Sequence, residues 1–493
     1  MLFFPAVLLG WLILPKKART YWLLAASYYF YMSWNPKYAV LIAGSTLITW
    51  GCALLIERCG APGERGKGAG KRGLILALGI LSNLAILAVF KYGNFTLATI
   101  DRLMRVFGLG QLPGRLDLLL PVGISFYTFQ ALGYVIDVYR GEVGAEHDLF
   151  RYALFVSFFP QLVAGPIERS KNLLSQMRSI EEIRAFDPDR WASGGTLIVW
   201  GLFLKMVISD RASVPVDLVF DSLRMYGGTE IFLALVLFSL QIYCDFASYS
   251  IIAMGCARVL GFRLMENFRA PFLSRNISDF WARWHISLTS WFRDYLYIPL
   301  GGNRKGNARK LLNLFVVFLV SGLWHGAAWT FVIWGGLNGL YEVMHALTLP
   351  KRKALLSRLK VNTECMSFGL FQVLATDLLF VLSMSFFRAE TFRDAVEILK
   401  RIVFRQDPWI LLNGGLTSLG LSGAELNVLV ICVVILFLAD RVHAEKGLMI
   451  DSWLRTQNLW FRWAAVIFLI LMIFVFGEYG PQFDAKQFIY FQF

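Results

Sequence analysis

Apolar runs alternate along this chain with short polar and mostly basic interruptions. Tyr38–Ile56, Leu74–Tyr92, Leu118–Val138, Trp191–Ser209, Glu230–Leu260 and Met366–Phe387 each approach or exceed the roughly 20 residues with which a helix crosses a hydrocarbon core. Leu2–Leu14 and Tyr21–Trp34 flank a basic turn, and Leu426–Leu438 and Phe461–Phe476 close the series. Leu149–Val163 is short for a crossing. It ends in FPQLVAGPIERS, where Pro160, Gly165 and Pro166 break a helix, so the pattern predicts a re-entrant hairpin. Asn94–Pro113 and Ala389–Val403 read as amphipathic and are expected at the membrane surface. The pattern predicts an all-α polytopic membrane protein with ten or eleven spans, plus re-entrant and interfacial helices.

Composition agrees. The 493 residues are 57% hydrophobic and 17% charged, with mean hydropathy +0.56, where a soluble protein has about a quarter charged residues. The formal charge of +14 would suggest nucleic acid on a soluble protein. Here Lys and Arg gather between spans, which excludes that reading and sets topology. Arg58–Arg72, Asn303–Lys310 and Lys351–Lys360 are expected in the cytosol, with the N-terminus outside. The first run lacks a basic start and is read as a retained helix rather than a signal peptide. Six cysteines form no CxxC pair, so neither a disulfide framework nor a metal site is expected. GERGKGAGKR lacks phosphate-loop spacing and reads as a charged linker.

Chemistry concentrates between Phe280 and Leu349. After a basic turn, Leu311–Leu349 carries no charge before Glu342. As one helix its 39 residues would be roughly 58 Å long against a core of about 30 Å, so it must break. Gly322, Gly326 and Gly335-Gly336 are the candidate joints. A break near Gly326 would leave His325 at membrane depth beside irregular backbone, which is tolerated only inside protein or along a wet cavity. An ionisable group there calls for a function. Trp324 adjoins it and is a candidate substrate contact.

The preceding segment, Arg275–Tyr297, sets Arg283, His285 and Arg293 among Trp and Tyr, as at a cytosolic interface. His285 is either a structural histidine or part of a site. Arg283 and Arg293, with Arg304 and Lys305, are candidates to attract an anionic donor, or anionic lipid headgroups. Asp245, within QIYCDFASYS, is either paired structurally or faces a water-filled cavity and substrate. Gln130 is a polar centre within an aromatic, Gly-containing span.

Six runs carry a family resemblance: LPVGISFYTFQALGYVIDVYR, FPQLVAGPIERS, GLFLKMVISD, NISDFWARWHISLTSWFRDYLYIPLGGNR, SGLWHGAAWTFVIWG and the terminal FIYFQF. The chain resembles the membrane-bound O-acyltransferases, nearest their bacterial alginate O-acetyltransferase branch. The match is strongest over 121–334, and RWHIS followed by GLWHG is its specific core. The resemblance implies one integral-membrane domain over 1–493, a ring of tilted helices around a central funnel, and His325 at the funnel base with His285 as second site residue. In one departure, Asn338 stands where many relatives have His. On a continuous helix, 13 residues turn about 220° past whole turns, which would face Asn338 away from His325 unless Gly335-Gly336 bends the chain.

The reading that follows is a multi-pass enzyme of the bacterial cell (inner or plasma) membrane. It is expected to bind no cofactor tightly and to take acetyl-CoA or an acyl carrier protein thioester as donor. The acyl group would pass to a surface polysaccharide, or to an extracytoplasmic esterase-like partner that completes the transfer, with His325 as general base. The alternatives are D-alanyl transfer to teichoic acid from a carrier-protein thioester and, in another class, a lipid or glycan flippase without covalent chemistry.

Overall fold

The computed structural model describes residues 2–60, 67–111, 114, 116 and 120–479. All regular structure among these residues is helical. Among the described residues, eight helices are long and apolar enough to cross a bilayer. The count of ten or eleven also took in runs that fold as shorter helices, such as Phe3–Ile13, Arg19–Met32 and Ile124–Arg140. By internal contacts the chain forms two compact units, Met1–Gly194 with Ala253–Met265, and Gly195–Ile252 with Glu266–Phe493.

In the first unit, Tyr38–Arg58 packs against Lys67–Leu87 and Ile124–Arg140. Apolar spans gain little from one another in lipid, so buried polar contacts and close packing join them. Ser45 donates to Asn83 at 2.5 Å, and Gln130 is buried and donates to the Phe155 carbonyl at 2.6 Å. The amphipathic segment after Asn94 continues the preceding helix. Gly93 keeps helical dihedrals, and one stretch runs from Gly70 to Val106. Part of the Arg58–Arg72 linker lies outside the described residues. Lys67 onward is helical, and buried Arg72 donates to the Gly60 and Tyr139 carbonyls.

Leu149–Ser157 rises only about 14 Å, too little to cross. Turns follow through Pro160 to Gly165, and residues 152–165 are buried. Glu168 then clamps a distant backbone. It accepts from the Met265 N–H at 2.5 Å and from Asn172 at 2.7 Å, while Gln176 donates to the Arg263 carbonyl and accepts from the Arg263 backbone N–H. Burial pushes the Glu168 carboxyl up to about 7, against the hydrogen bonds from Met265 and Asn172. A carboxyl raised in the folded state binds its proton more tightly there. Its stabilising contribution is therefore full below the unfolded value near 4.5 and is lost as pH rises through about 7. Stability in detergent should fall between pH 5 and pH 8 by on the order of 3 kcal/mol at most, seen as a falling thermal midpoint, and Glu168→Gln should flatten that slope. Equal slopes in the two proteins would remove Glu168 as the cause.

In the second unit, the helices Gly306–His325 and Trp329–Arg358 pack closely against each other. Gly322 and Gly335 face each other at the crossing. A Cβ on either would stand 2.8 Å from the other's Cα. The basic segments at both ends, Gly306–Lys310 and Lys351–Arg358, are helical turns rather than loops. Lys and Arg are good helix formers and extend their charges past the apolar surface. Gly301 and Gly302, at φ 105° and 53°, make the turn before Gly306, and Asn313 ties it by donating to the Gly302 carbonyl at 3.0 Å. Phe392–Phe404 is the expected amphipathic surface helix, with Phe392, Val403 and Phe404 exposed.

Candidate active site

The site forms where Gly306–His325 stops. Gly326 is extended (φ −155°), and its N–H reaches the Gly322 carbonyl at 3.4 Å. A side chain at Gly326 would strike the Phe331 ring, so glycine is needed for space rather than dihedral freedom. The chain re-enters a helix at Trp329. Of the candidate joints, Gly326 breaks the chain, whereas Gly335-Gly336 lies within unbroken helix. The break leaves His325 on the last helical residue, buried at 7% exposure.

Aromatic rings wall it in. The centroid of His325 lies 5.0 Å from Trp324, 5.1 Å from Trp334 with the planes at 89°, and 5.8 Å from Phe387 at the end of Met366–Arg388. His285 lies 6.4 Å away and also packs against Trp324, at 5.9 Å. Residues forty positions apart thus meet in one buried place.

His285 reaches that place through an unusual backbone. It sits between the short helices Ile277–Arg283 and Ile286–Phe292 in the left-handed region (φ 45°, ψ 52°), which His adopts more readily than most residues. Asn267 holds this turn. Its carbonyl accepts from the Ile286 N–H at 2.9 Å, and its side-chain oxygen accepts from the Ser287 N–H at 3.3 Å and the Ser287 hydroxyl at 2.7 Å. His285 Nδ1 lies 3.1 Å from that same oxygen. Phe246 packs edge-on against the ring at 4.6 Å. Burial pushes the His285 imidazolium well below its ordinary range, and the nearby His325 adds to this. The ring therefore rests neutral.

The other candidate charges are engaged in ion pairs or stand exposed. Asp245 is paired: Lys205 donates to it at 2.6 Å and to Asp210 at 2.9 Å, all three side chains being largely buried. It adjoins Phe246 in sequence but is engaged by this triad. Arg283 is ion-paired with Asp279 at 2.8 Å. Arg293 lies beyond the second short helix, largely exposed and paired with Asp294 at 2.9 Å. Arg304 and Lys305 are exposed on the glycine turn. Asn338 is fully buried and donates to the Trp334 carbonyl, one turn back in its own helix, at 2.9 Å.

Asn267, Trp334 and Phe387 are the site residues that the sequence reading missed. The Trp334 indole N–H is buried and has no hydrogen-bond partner among the described residues. Such a donor is costly to leave unmade and is available to a substrate oxygen. An imidazole beside indole donors in a buried, aromatic enclosure can accept a hydroxyl proton, and the indole N–H groups can stabilise charge developing on a carbonyl oxygen.

Comparison with known proteins agrees with this chemistry. Residues 142–385 match the membrane-bound O-acyltransferase family profile. The chain is 38% identical to the probable alginate O-acetylase of Pseudomonas putida over 436 residues, covering 88% of this chain and 84% of that protein. It is 33% identical to the peptidoglycan O-acetyltransferase of Helicobacter pylori over 431 residues, 81% and 78% of the two chains. To the teichoic acid D-alanyltransferase of Bacillus subtilis it is 29% identical over 235 residues, 43% of this chain and 56% of that one. With similarity to O-acetylases along most of its length and a match to the family profile, the chain belongs to the membrane-bound O-acyltransferase family.

Proposed function

We propose that the protein moves an acetyl or other short acyl group from a cytosolic thioester to a hydroxyl of an extracytoplasmic polysaccharide, or to a partner protein that completes the transfer. The observation that carries this reading is the meeting of His325 and His285 in one buried aromatic enclosure. The hydroxyl oxygen attacks the thioester carbonyl carbon while His325 takes the hydroxyl proton. The carbon–sulfur bond then breaks, and the leaving thiolate recovers that proton from the imidazolium. A hydroxyl needs this help at neutral pH. Similarity covers 88% of the chain for an O-acetylase and 43% for a D-alanyltransferase, which favours acetyl over D-alanyl. The test offers radiolabelled acetyl-CoA to membranes holding the protein together with its native polysaccharide. Label should enter glycan or partner and be absent with His325→Gln. Label from D-alanyl carrier protein alone would select the other donor, and movement of glycan or lipid without acylation would defeat the reading.

The donor enters at the basic turn. Leu311 and His325 are separated by about 21 Å of helix rise, so a thioester must be carried inward on a long flexible arm while its anionic end stays at the surface. Exposed Arg304 and Lys305 stand at that end. Each charge is worth about 1 kcal/mol there, so reversing both should raise the donor KM roughly tenfold or more. A change in membrane insertion with donor KM unmoved would assign them to lipid headgroups instead.

A further inference from the structure

We infer that Asn267 is a positioning residue whose side-chain oxygen holds His285 as the Nδ1–H tautomer and so leaves Nε2 as a bare proton acceptor in the buried site. The inference rests on the acyl-transfer reading only for the use made of that acceptor.

The orientation of the Asn267 amide is fixed by its neighbours. The Ser287 backbone N–H can only donate, and it meets the atom that faces His285, so that atom is the oxygen. The opposite end donates to Ser250 Oγ at 3.0 Å, which suits an amide nitrogen. His285 Nδ1, 3.1 Å from an oxygen that can only accept, must carry the hydrogen. A neutral imidazole has one N–H, so Nε2 is unprotonated. Which histidine nitrogen holds the proton is set by the bond that the other one makes.

Asn267 also fixes where the ring stands. It engages Ile286, Ser287 and His285 together, and the Arg269 N–H, two residues on, bonds to the Arg283 carbonyl at 2.9 Å. These bonds hold His285 in its left-handed conformation between two short helices, a placement that costs energy without such support. Buried Asn267 thus replaces the usual helix cap and sets the tautomer with one side chain.

Few charges compete with it. His325 is the titratable group whose charge acts on the ring. Asp245, next to the Phe246 that packs on His285, is held by Lys205. Arg283 is engaged by Asp279, and Arg269 by Glu266.

The direct test is the 15N-histidine spectrum of the full-length protein in nanodiscs, where five histidines give a tractable set. At pH 7.5 one ring, absent in His285→Gln, should show a protonated Nδ1 and a bare Nε2. Asn267→Ala should shift that ring to the other tautomer or a mixture. A wild-type His285 protonated on Nε2, or a ring indifferent to Asn267→Ala, overturns the inference. Should Asn267→Ala fail to insert, isosteric Asn267→Asp serves. A carboxylate there should keep Nδ1–H and raise the pH at which the ring titrates by about one unit or more. The acid limb of kcat/KM should move up with it. A lowered thermal midpoint with spectra and acid limb unmoved would make Asn267 a structural clamp only, which also overturns the proposal. The spectra need no acyl transfer, so failure of the proposed activity and failure of the tautomer assignment are separable.

Discussion

His325→Gln should leave a protein that inserts at normal abundance and transfers acyl groups about 10²–10⁴-fold more slowly, the usual worth of general-base help. Glutamine keeps much of the size of the imidazole and a hydrogen-bonding tip, but it cannot accept a proton at neutral pH. His325 closes one helix and is packed by Trp324, Trp334 and Phe387. A side chain of similar volume retains much of that packing, so abundance and thermal midpoint should change little. His325→Ala should be as inactive but less stable, because it opens a void among three aromatic rings. His285→Ala should lower activity less uniformly across acceptors, since that ring also orients. The decisive comparison is acyl transfer per folded molecule in purified membranes. Near wild-type transfer by His325→Gln would remove the general-base assignment and make His285 the group to pursue.

Much of the fold was legible in the sequence because apolar length is a strong signal in a membrane chain. Tyr38–Arg58 and Met366–Arg388 lie close to the predicted runs. Boundaries shifted where basic residues cluster. Lys67–Arg72, Gly306–Lys310 and Lys351–Arg358 read as loops from their charge, yet Lys and Arg extend helices readily. The length of Leu311–Leu349 demanded a break, and the chain makes it at Gly326, beside the histidine. Because the chain breaks at Gly326, a continuous-helix count from His325 to Asn338 does not apply, and Asn338 is buried within the second helix with its amide on the Trp334 carbonyl. His285 and His325 were found by motif. Asn267 and Phe387 were not, because they lie 18 and 62 residues from the histidines they touch and no local pattern encodes that approach.

Gly335→Ala should be far more damaging than Gly336→Ala, although the two residues are adjacent and both are helical. At Gly335 a new Cβ would meet the Phe318 carbonyl oxygen and stand 2.8 Å from the Gly322 Cα and 2.9 Å from its nitrogen. Those are backbone atoms of the facing helix and cannot rotate away. The helices Gly306–His325 and Trp329–Arg358 would have to separate, at a cost of about 1–3 kcal/mol as in other overpacked cores. Close helix contact through small residues is a main source of cohesion in lipid, so the loss is not readily recovered elsewhere. Separation would also draw Trp334, the residue before Gly335, away from His325, so activity should fall with stability. At Gly336 the nearest atom to a new Cβ is Leu319 Cδ1 at 3.6 Å, an ordinary contact with a flexible tip. Alanine there also gains up to about 1 kcal/mol in helix propensity. Thermal midpoints in detergent and acyl transfer per folded molecule would be measured for both variants. A lowered midpoint and reduced transfer in Gly335→Ala beside an unchanged Gly336→Ala supports the glycine crossing as the support of the site. Indistinguishable variants would mean that the two helices tolerate a wider separation and that His325 is held by the surrounding aromatic rings instead.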